Sequence, residues 1–209
     1  TLSSATIRSI IRYTLDGSEP TAASTLYAGP VNVNTTTVVR AVAFGPAGTP
    51  PSFTTTNSYF INNDHTVAVI SIAGSQLDDL LGGNGGIQPF GHMEYFGPDG
   101  VLRDEAVGEF NEHGQDSWAY AQRGFDYIAR DQTGYNDAIR YPVFRTKDRE
   151  KYQRLIIKAS AGDNFNFGPG QPAHIRDAYV QALSQTGGLA VDERSYEPAV
   201  LYVNGQYWG

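Results

Sequence analysis

The chain has 209 residues, 40% of them hydrophobic and 18% charged, with a formal net charge of -7 and no cysteine. That length allows one large domain or two small ones with real cores, and the apolar share excludes a disordered tail. The absence of cysteine excludes disulfide scaffolds, cysteine-ligated zinc, iron–sulfur clusters and thiol catalysis, and an isoelectric point near 5.0 argues against a nucleic-acid partner, which needs clustered Lys and Arg.

With 23 glycines, 11 prolines, 13 tyrosines and 10 phenylalanines, the composition favours short strands and many turns over long helices. No apolar run approaches the roughly 18 residues needed to span a bilayer, so no transmembrane segment is expected. The chain opens on Thr1 with no signal peptide, so it reads as a stretch of a longer protein.

In chain order, residues 12–15 read as a strand, followed by a tight turn over 16–21. Residues 37–44 alternate with period two and are largely apolar on both faces, as in a central sandwich strand. Gly45, Pro46, Gly48, Pro50 and Pro51 break that run, and 57–61 is the next strand. Strands at this spacing predict a β-sandwich over 1–62. Asn62, Asn63 and Asp64 read as a short linker.

A buried strand over 66–72 then opens a second domain, 66–209, with a helical turn over 76–81 stopped by Gly82 and Gly83. Further strands are predicted at 91–96, 106–110, 124–130 and 153–158. The best helix starts after Gly170 and Gln171, with Pro172 in its first turn. Ile175, Ala178, Tyr179, Ala182 and Leu183 form its apolar stripe, and Gly187 and Gly188 end it. Residues 199–203 and 206–208 flank Asn204-Gly205, a strong hairpin signal.

Two sets of motifs carry resemblances. The YTLDGSEPT stretch at 13–21, with Ser24, Tyr27, Pro30 and the strand through Val39, Arg40 and Ala41, resembles the fibronectin-III-like domain at the C-terminal end of chitobiases and hexosaminidases. That resemblance spans about 9–62, with the opening strand shortened or missing. From Val67 onward the chain resembles the first part of the CotH-type spore-coat kinase family. The residues are the strand 67–72, Asp116-Ser117-Trp118 leading into Gln122-Arg123-Gly124-Phe125, Arg154 to Lys158 with Gly162-Asp163, Ile175-Arg176-Asp177-Ala178, and the ending VLYVNGQYWG.

The second resemblance implies an atypical protein-kinase-like α+β fold that uses ATP and Mg²⁺ to phosphorylate Ser or Thr on extracellular proteins. It implies nucleotide-contacting or polar positioning roles for Arg123, Asp163, Arg176 and Asp177. The family commonly has Lys where Arg123 stands, and Arg offers a planar fork instead of a point charge. No catalytic Asp–Asn loop and no metal-binding Asp beside Phe-Gly is present, so the chain by itself is expected not to catalyse transfer. The resemblances imply a secreted or cell-surface bacterial protein whose partners are extracellular proteins or further copies of itself. A structural spacer or fibre subunit and a carbohydrate-binding accessory module stand as alternatives.

Other groupings have bland and sharp readings. Residues 82–86 (Gly-Gly-Asn-Gly-Gly) read as a turn or as a phosphate-covering loop without the Walker lysine. His174 and Asp177, at i and i+3, could reach one metal, but two ligands make no site. Arg176 and Asp177 serve better as polar anchors of the helix against Gly162-Asp163. Asp126, Arg130 and Asp131 read as a surface ion-pair cluster or a calcium site. Trp118, Tyr120, Phe125, Tyr127 and Tyr135 read as core or as a sugar-stacking platform. The neighbouring acids Asp78-Asp79 and Asp104-Glu105 should point apart and stay at the solvated surface rather than act as a glycosidase pair.

Overall fold

Short β-branched and aromatic runs between glycine and proline turns make the chain mostly β in the computed structural model, which describes residues 1–160, 163 and 172–209. The first sheet contains β1 (Ile10–Thr14), β2 (Thr25–Leu26), β3 (Thr37–Phe44) and β4 (Thr55–Tyr59), all antiparallel in the order β2-β1-β3-β4. β3 occupies the predicted span, and its residues Val38 to Val42 are buried on both faces. β4 starts two residues earlier than predicted, because Thr56 and Ser58 register against Arg40 and Val38.

The turn after β1 explains the 13–21 motif physically. Asp16 Oδ1 accepts the Ser18 N–H at 3.1 Å and the Ser18 hydroxyl at 2.6 Å, and Thr14 Oγ1 donates to Ser18 O at 2.7 Å. Gly17 sits at φ 78, in the left-handed region, and a Cβ there would collide with Asn204. Arg40 reaches across from β3, donating to Gly17 O at 2.9 Å and pairing with Glu19 at 2.6 Å.

The second sheet holds β5 (Ala68–Ala73), β6 (Phe90–Phe96), β7 (Leu102–Glu112), β8 (Phe125–Ala129), β9 (Arg154–Ile157), β10 (Ala199–Val203) and β11 (Gln206–Tyr207). Its order is β11-β10-β5-β6-β7-β8-β9. β5 to β9 run as an antiparallel meander, and β10 returns parallel to β5. The closing hairpin turns at Asn204 (φ 50) and Gly205 (φ 80), as the Asn-Gly pair requires. β7 is longer than the predicted 106–110, extending to both sides through charged residues.

Period-two alternation gives this sheet two different faces. Ile70, Ile72, Met93, Tyr95, Phe110, Phe125, Tyr127, Leu155 and Leu201 point to one side, where Leu77, Leu80 and Leu81 of α1 (Leu77–Gly82) and Ile139, Val143 and Tyr152 cover them. Ser71, His92, Glu94, Glu105, Glu109 and Asp126 occupy the alternate positions and point to the other side. There the first sheet meets the second: Ser58 of β4 touches Ser71 and Glu94, Tyr135 donates to Thr54 O at 2.6 Å, and Glu19 N–H donates to Ser75 Oγ at 2.8 Å. The layered, mostly β character expected of residues 1–62 is present, but the strands of 10–59 supply one layer and the second sheet supplies the layer opposite.

The joint at 62–64 is tied down on both sides. Phe60 packs on Phe96 and Tyr202 at ring separations of 5.2 and 4.8 Å, and Asn63 donates to Thr36 Oγ1 at 2.6 Å.

Helix α2 (Arg176–Thr186) differs from its prediction. It begins beyond Pro172, after His174 breaks the helical course at φ 60. Its apolar stripe is largely exposed: Ile175, Tyr179 and Leu183 are 50%, 62% and 57% exposed. The expected starting pair Gly170 and Gln171 lies outside the described residues, as does Gly162. No described helix is long and apolar enough to cross a membrane.

Candidate functional site

Arg123 precedes β8, where Gly124 brings the chain close against the backbone of 157–159. Its guanidinium donates from Nε to Trp118 O and from Nη1 to Leu81 O, each at 2.9 Å, and lies over the Trp118 ring at 5.6 Å. The third nitrogen faces the glycine-rich loop, since a Cβ on Gly83 would stand 3.3 Å from Nη2. Arg123 therefore braces the end of α1 against the 116–119 turn and presents one edge to the loop.

The loop itself does not form an anion cradle. Gly83 closes α1 by donating to Leu80 O, and the Glu112 carboxylate lies against Gly85, where it opposes a second negative group. The turn reading of residues 82–86 is the one that fits this geometry.

Asp163, Arg176 and Asp177 do come together. Asp163 accepts the Ala173 N–H at 2.9 Å and the Arg176 N–H at 3.0 Å, while Arg176 Nε pairs with Asp163 Oδ1 at 3.0 Å. A helix start leaves backbone donors without partners, and here a distant carboxylate satisfies them in place of a local cap. Asp177, in the first turn, pairs with Lys158 just beyond β9 and also meets the favourable end of the helix dipole. The expected anchoring against Asp163 is made by Arg176, whereas Asp177 is held by Lys158 instead. Because β8 and β9 pair Phe125 with Ile157, Arg123 and Lys158 stand at the same end of that strand pair.

The backbone bonds at Ala173 and Arg176 hold the Asp163 carboxyl below the usual 3.8, with desolvation opposing them. Its support for α2 is therefore complete above the ordinary carboxyl range and is lost as pH falls through the lowered value. Asp163→Asn is expected to speed amide exchange across residues 176–186 at neutral pH and to flatten the acid dependence of that exchange. Unchanged exchange would overturn the capping role.

The remaining groupings are dispersed. His174 donates its backbone N–H to Asp163 O and accepts the Ser160 hydroxyl at its carbonyl, whereas Asp177 turns to Lys158. Asp126 is buried and pairs with Arg154 and with His113 at 3.1 Å, while Arg130 pairs with Glu109 at 2.7 Å. Phe125 and Tyr127 are fully buried in the core, and Tyr135 lies on the opposite face of the sheet, so the five aromatics make no common platform. Asp78 accepts from Asn204 and Asp79 from Asn84. Asp104 and Glu105 do point apart, but neither is simply solvated: Asp104 accepts from Asn136 and Arg140, and Glu105 approaches His92.

A second cluster, which the sequence reading missed, sits between the sheets. His92 is 1% exposed, its Nε2 is 3.1 Å from Glu105 Oε2, and its ring packs on Tyr135 at 4.7 Å. Glu94 is 2% exposed and bonded to Ser58, and desolvation raises the Tyr135 hydroxyl to about 12. The available signal was the alternation in GHMEYF at 91–96, where His92 and Glu94 share one face. That pattern reads as a solvent face unless another layer covers it. Among the described residues no three His, Asp or Glu side chains are grouped to ligate one metal ion.

Residues 1–56 match the family model of the chitobiase/beta-hexosaminidase C-terminal domain. The match opens at residue 1 instead of 9 and closes within β4. Neither the curated proteins nor the solved structures yield a match to the chain.

Proposed function

We propose that this chain is part of a secreted or cell-surface bacterial protein of the CotH type, in which a chitobiase-type module is docked on the first portion of a kinase-like domain. In this reading the intact protein transfers a phosphoryl group from ATP to Ser or Thr of extracellular proteins, and these residues alone do not. The observation that supports it is Arg123, a cation placed just before the interior strand β8 and held beside the end of α1 by its bond to Leu81 O. Nucleotide phosphates need such a positioned cation, and Asp163, Arg176, Asp177 and Lys158 supply polar groups at the same end of β8 and β9. Mg²⁺ ligands are, by the same resemblance, expected from the segment that follows the closing hairpin in that family.

The test is ATP binding by the full-length parent carrying Arg123→Ala or Arg123→Lys. Loss of one charge-assisted contact is expected to weaken binding about tenfold or more in Arg123→Ala. Arg123→Lys keeps the charge but loses the carbonyl fork, so it should retain most of the affinity while losing thermal stability. Unchanged affinity in Arg123→Ala would sink the role.

A structural reading is favoured by a different observation, the buried polar contacts that fasten the two sheets together. Such a unit serves as a stiff spacer or assembly subunit. Filaments or sheets formed without phosphate incorporation would favour it, and monomers with ATP-dependent incorporation would favour the kinase.

A further inference from the structure

Glu94 lies in the middle of β6 on the face that the first sheet covers, and it is 2% exposed. Both donors of one residue reach it: the Ser58 N–H to Oε1 at 3.1 Å and the Ser58 hydroxyl to Oε2 at 2.5 Å. Ser58 Oγ is also 2.7 Å from Ser71 Oγ, so a hydroxyl chain runs from β5 through β4 to the carboxyl. This chain works in either direction. With Glu94 ionised, Ser71 donates to Ser58 and Ser58 donates to the carboxylate. With Glu94 protonated, the acid donates to Ser58 Oγ and Ser58 donates to Ser71.

The charged and titratable groups around Glu94 offer it no bonded cation. Glu105 stands directly across on β7, like-charged, and His92 precedes Glu94 by two residues on β6, with Nε2 3.1 Å from Glu105 Oε2. Tyr135 lies on His92 and gives its hydroxyl proton to Thr54 O. Arg40 on β3 directs its donors to Gly17 O, Thr56 and Glu19. The Ser58–Ser71 chain thus accommodates either protonation state, although the donors of Ser58 favour the carboxylate; burial and Glu105 favour the neutral acid.

We propose that docking of the N-terminal sheet on the seven-stranded sheet is proton-linked through Glu94, the closed junction binding a proton there and loosening as the carboxyl ionises. Desolvation is the largest influence on this carboxyl and raises its pKa above the ordinary 4.5; the Ser58 bonds and His92 oppose the rise, and Glu105 adds to it. A separated sheet would expose Glu94 to water and return it to the ordinary range. Docking therefore has its full support below the ordinary pKa and loses it as pH climbs through the raised value. The chitobiase-type module is then a docked layer whose hold on the rest of the chain weakens from acid toward alkaline conditions.

Hydrogen exchange on the full chain reads this directly, in β4 with β8 as internal reference, at about pH 5 and about pH 8 after correction for intrinsic rates. Protection of β4 relative to β8 is expected to fall about tenfold or more between the two conditions. Glu94→Gln, which holds the shape of the neutral acid, should keep β4 protected at both. An unchanged ratio in the wild-type chain, or a Glu94→Gln chain with the wild-type dependence, would overturn the proposal. Ser58→Ala offers an independent arm should Glu94→Gln fail to fold. It removes a donor that the ionised carboxylate needs more than the acid does, so the gap between the two conditions should widen, and a gap left as in wild type counts against the latch.

Discussion

Phe110→Ala is expected to lower the unfolding free energy by about 3–5 kcal/mol, a large fraction of the stability of a domain this size. Phe110 is fully buried in β7, with the Phe125 ring 5.3 Å and the Tyr127 ring 5.1 Å away. Three aromatic rings from two paired strands form the centre of the larger core, and a Cβ on Gly91 would already touch the Phe110 ring. Such a site cannot collapse around an alanine, because its walls belong to a sheet held by backbone hydrogen bonds. Denaturant unfolding checks it, with Phe90→Ala as the control: Phe90 is 43% exposed and should cost about 1 kcal/mol. A Phe110→Ala loss as small as the control's would show that the cluster repacks.

Arg40→Ala is expected to cost about 3 kcal/mol, and Arg40→Lys not much less. The guanidinium is nearly buried and serves three acceptors in different directions: Gly17 O, Thr56 Oγ1 and the Glu19 carboxylate. Burial pulls its pKa below the ordinary guanidinium value while Glu19 pulls it up. Removing it leaves the Gly17 carbonyl without that donor and releases the turn that rests on Asn204 of the closing hairpin. A lysine ammonium cannot span the three positions that the planar fork does. Thermal unfolding would show the loss, and a near-wild-type Arg40→Lys would contradict this account of the fork.

These two sites mark different degrees of legibility. The Phe110 core could be anticipated, because alternating apolar residues in short strands leave few other places for their side chains. β3 and the Asn204-Gly205 hairpin were equally clear, since both rest on patterns whose cause is local. The 13–21 motif was recognisable as a string, and residues 1–56 match the corresponding family model. Its reason emerged only when Arg40 was seen to gather Gly17 and Glu19 from across the sheet.

The misreadings share a cause. β7 is longer than its apolar core of 106–110 because β6 pairs with its charged first half, through Asp104 and Glu105, and β8 pairs with its last residues as far as Glu112. The helix start was misplaced because the carboxylate that satisfies its first donors belongs to Asp163, well before it in the chain. Of the residues assigned to nucleotide, Arg123 was read for its charge, and what could not be read was that two main-chain carbonyls would take two of its nitrogens.

By itself the sequence determined the strand-rich class, the turn positions and the apolar face of the larger sheet, all consequences of local propensity and period-two patterning, while the likeness of the first part to the chitobiase-type domain rests on its motif residues and on the family match over 1–56. The tertiary structure decided that the polar face of that sheet is covered as well. Alternation can say that His92 and Glu94 share a side with Glu105, but whether that side meets water or Ser58 depends on a layer contributed by residues far away in the chain. That layer turns an apparently ordinary surface carboxylate into a buried acid at the junction of two sheets.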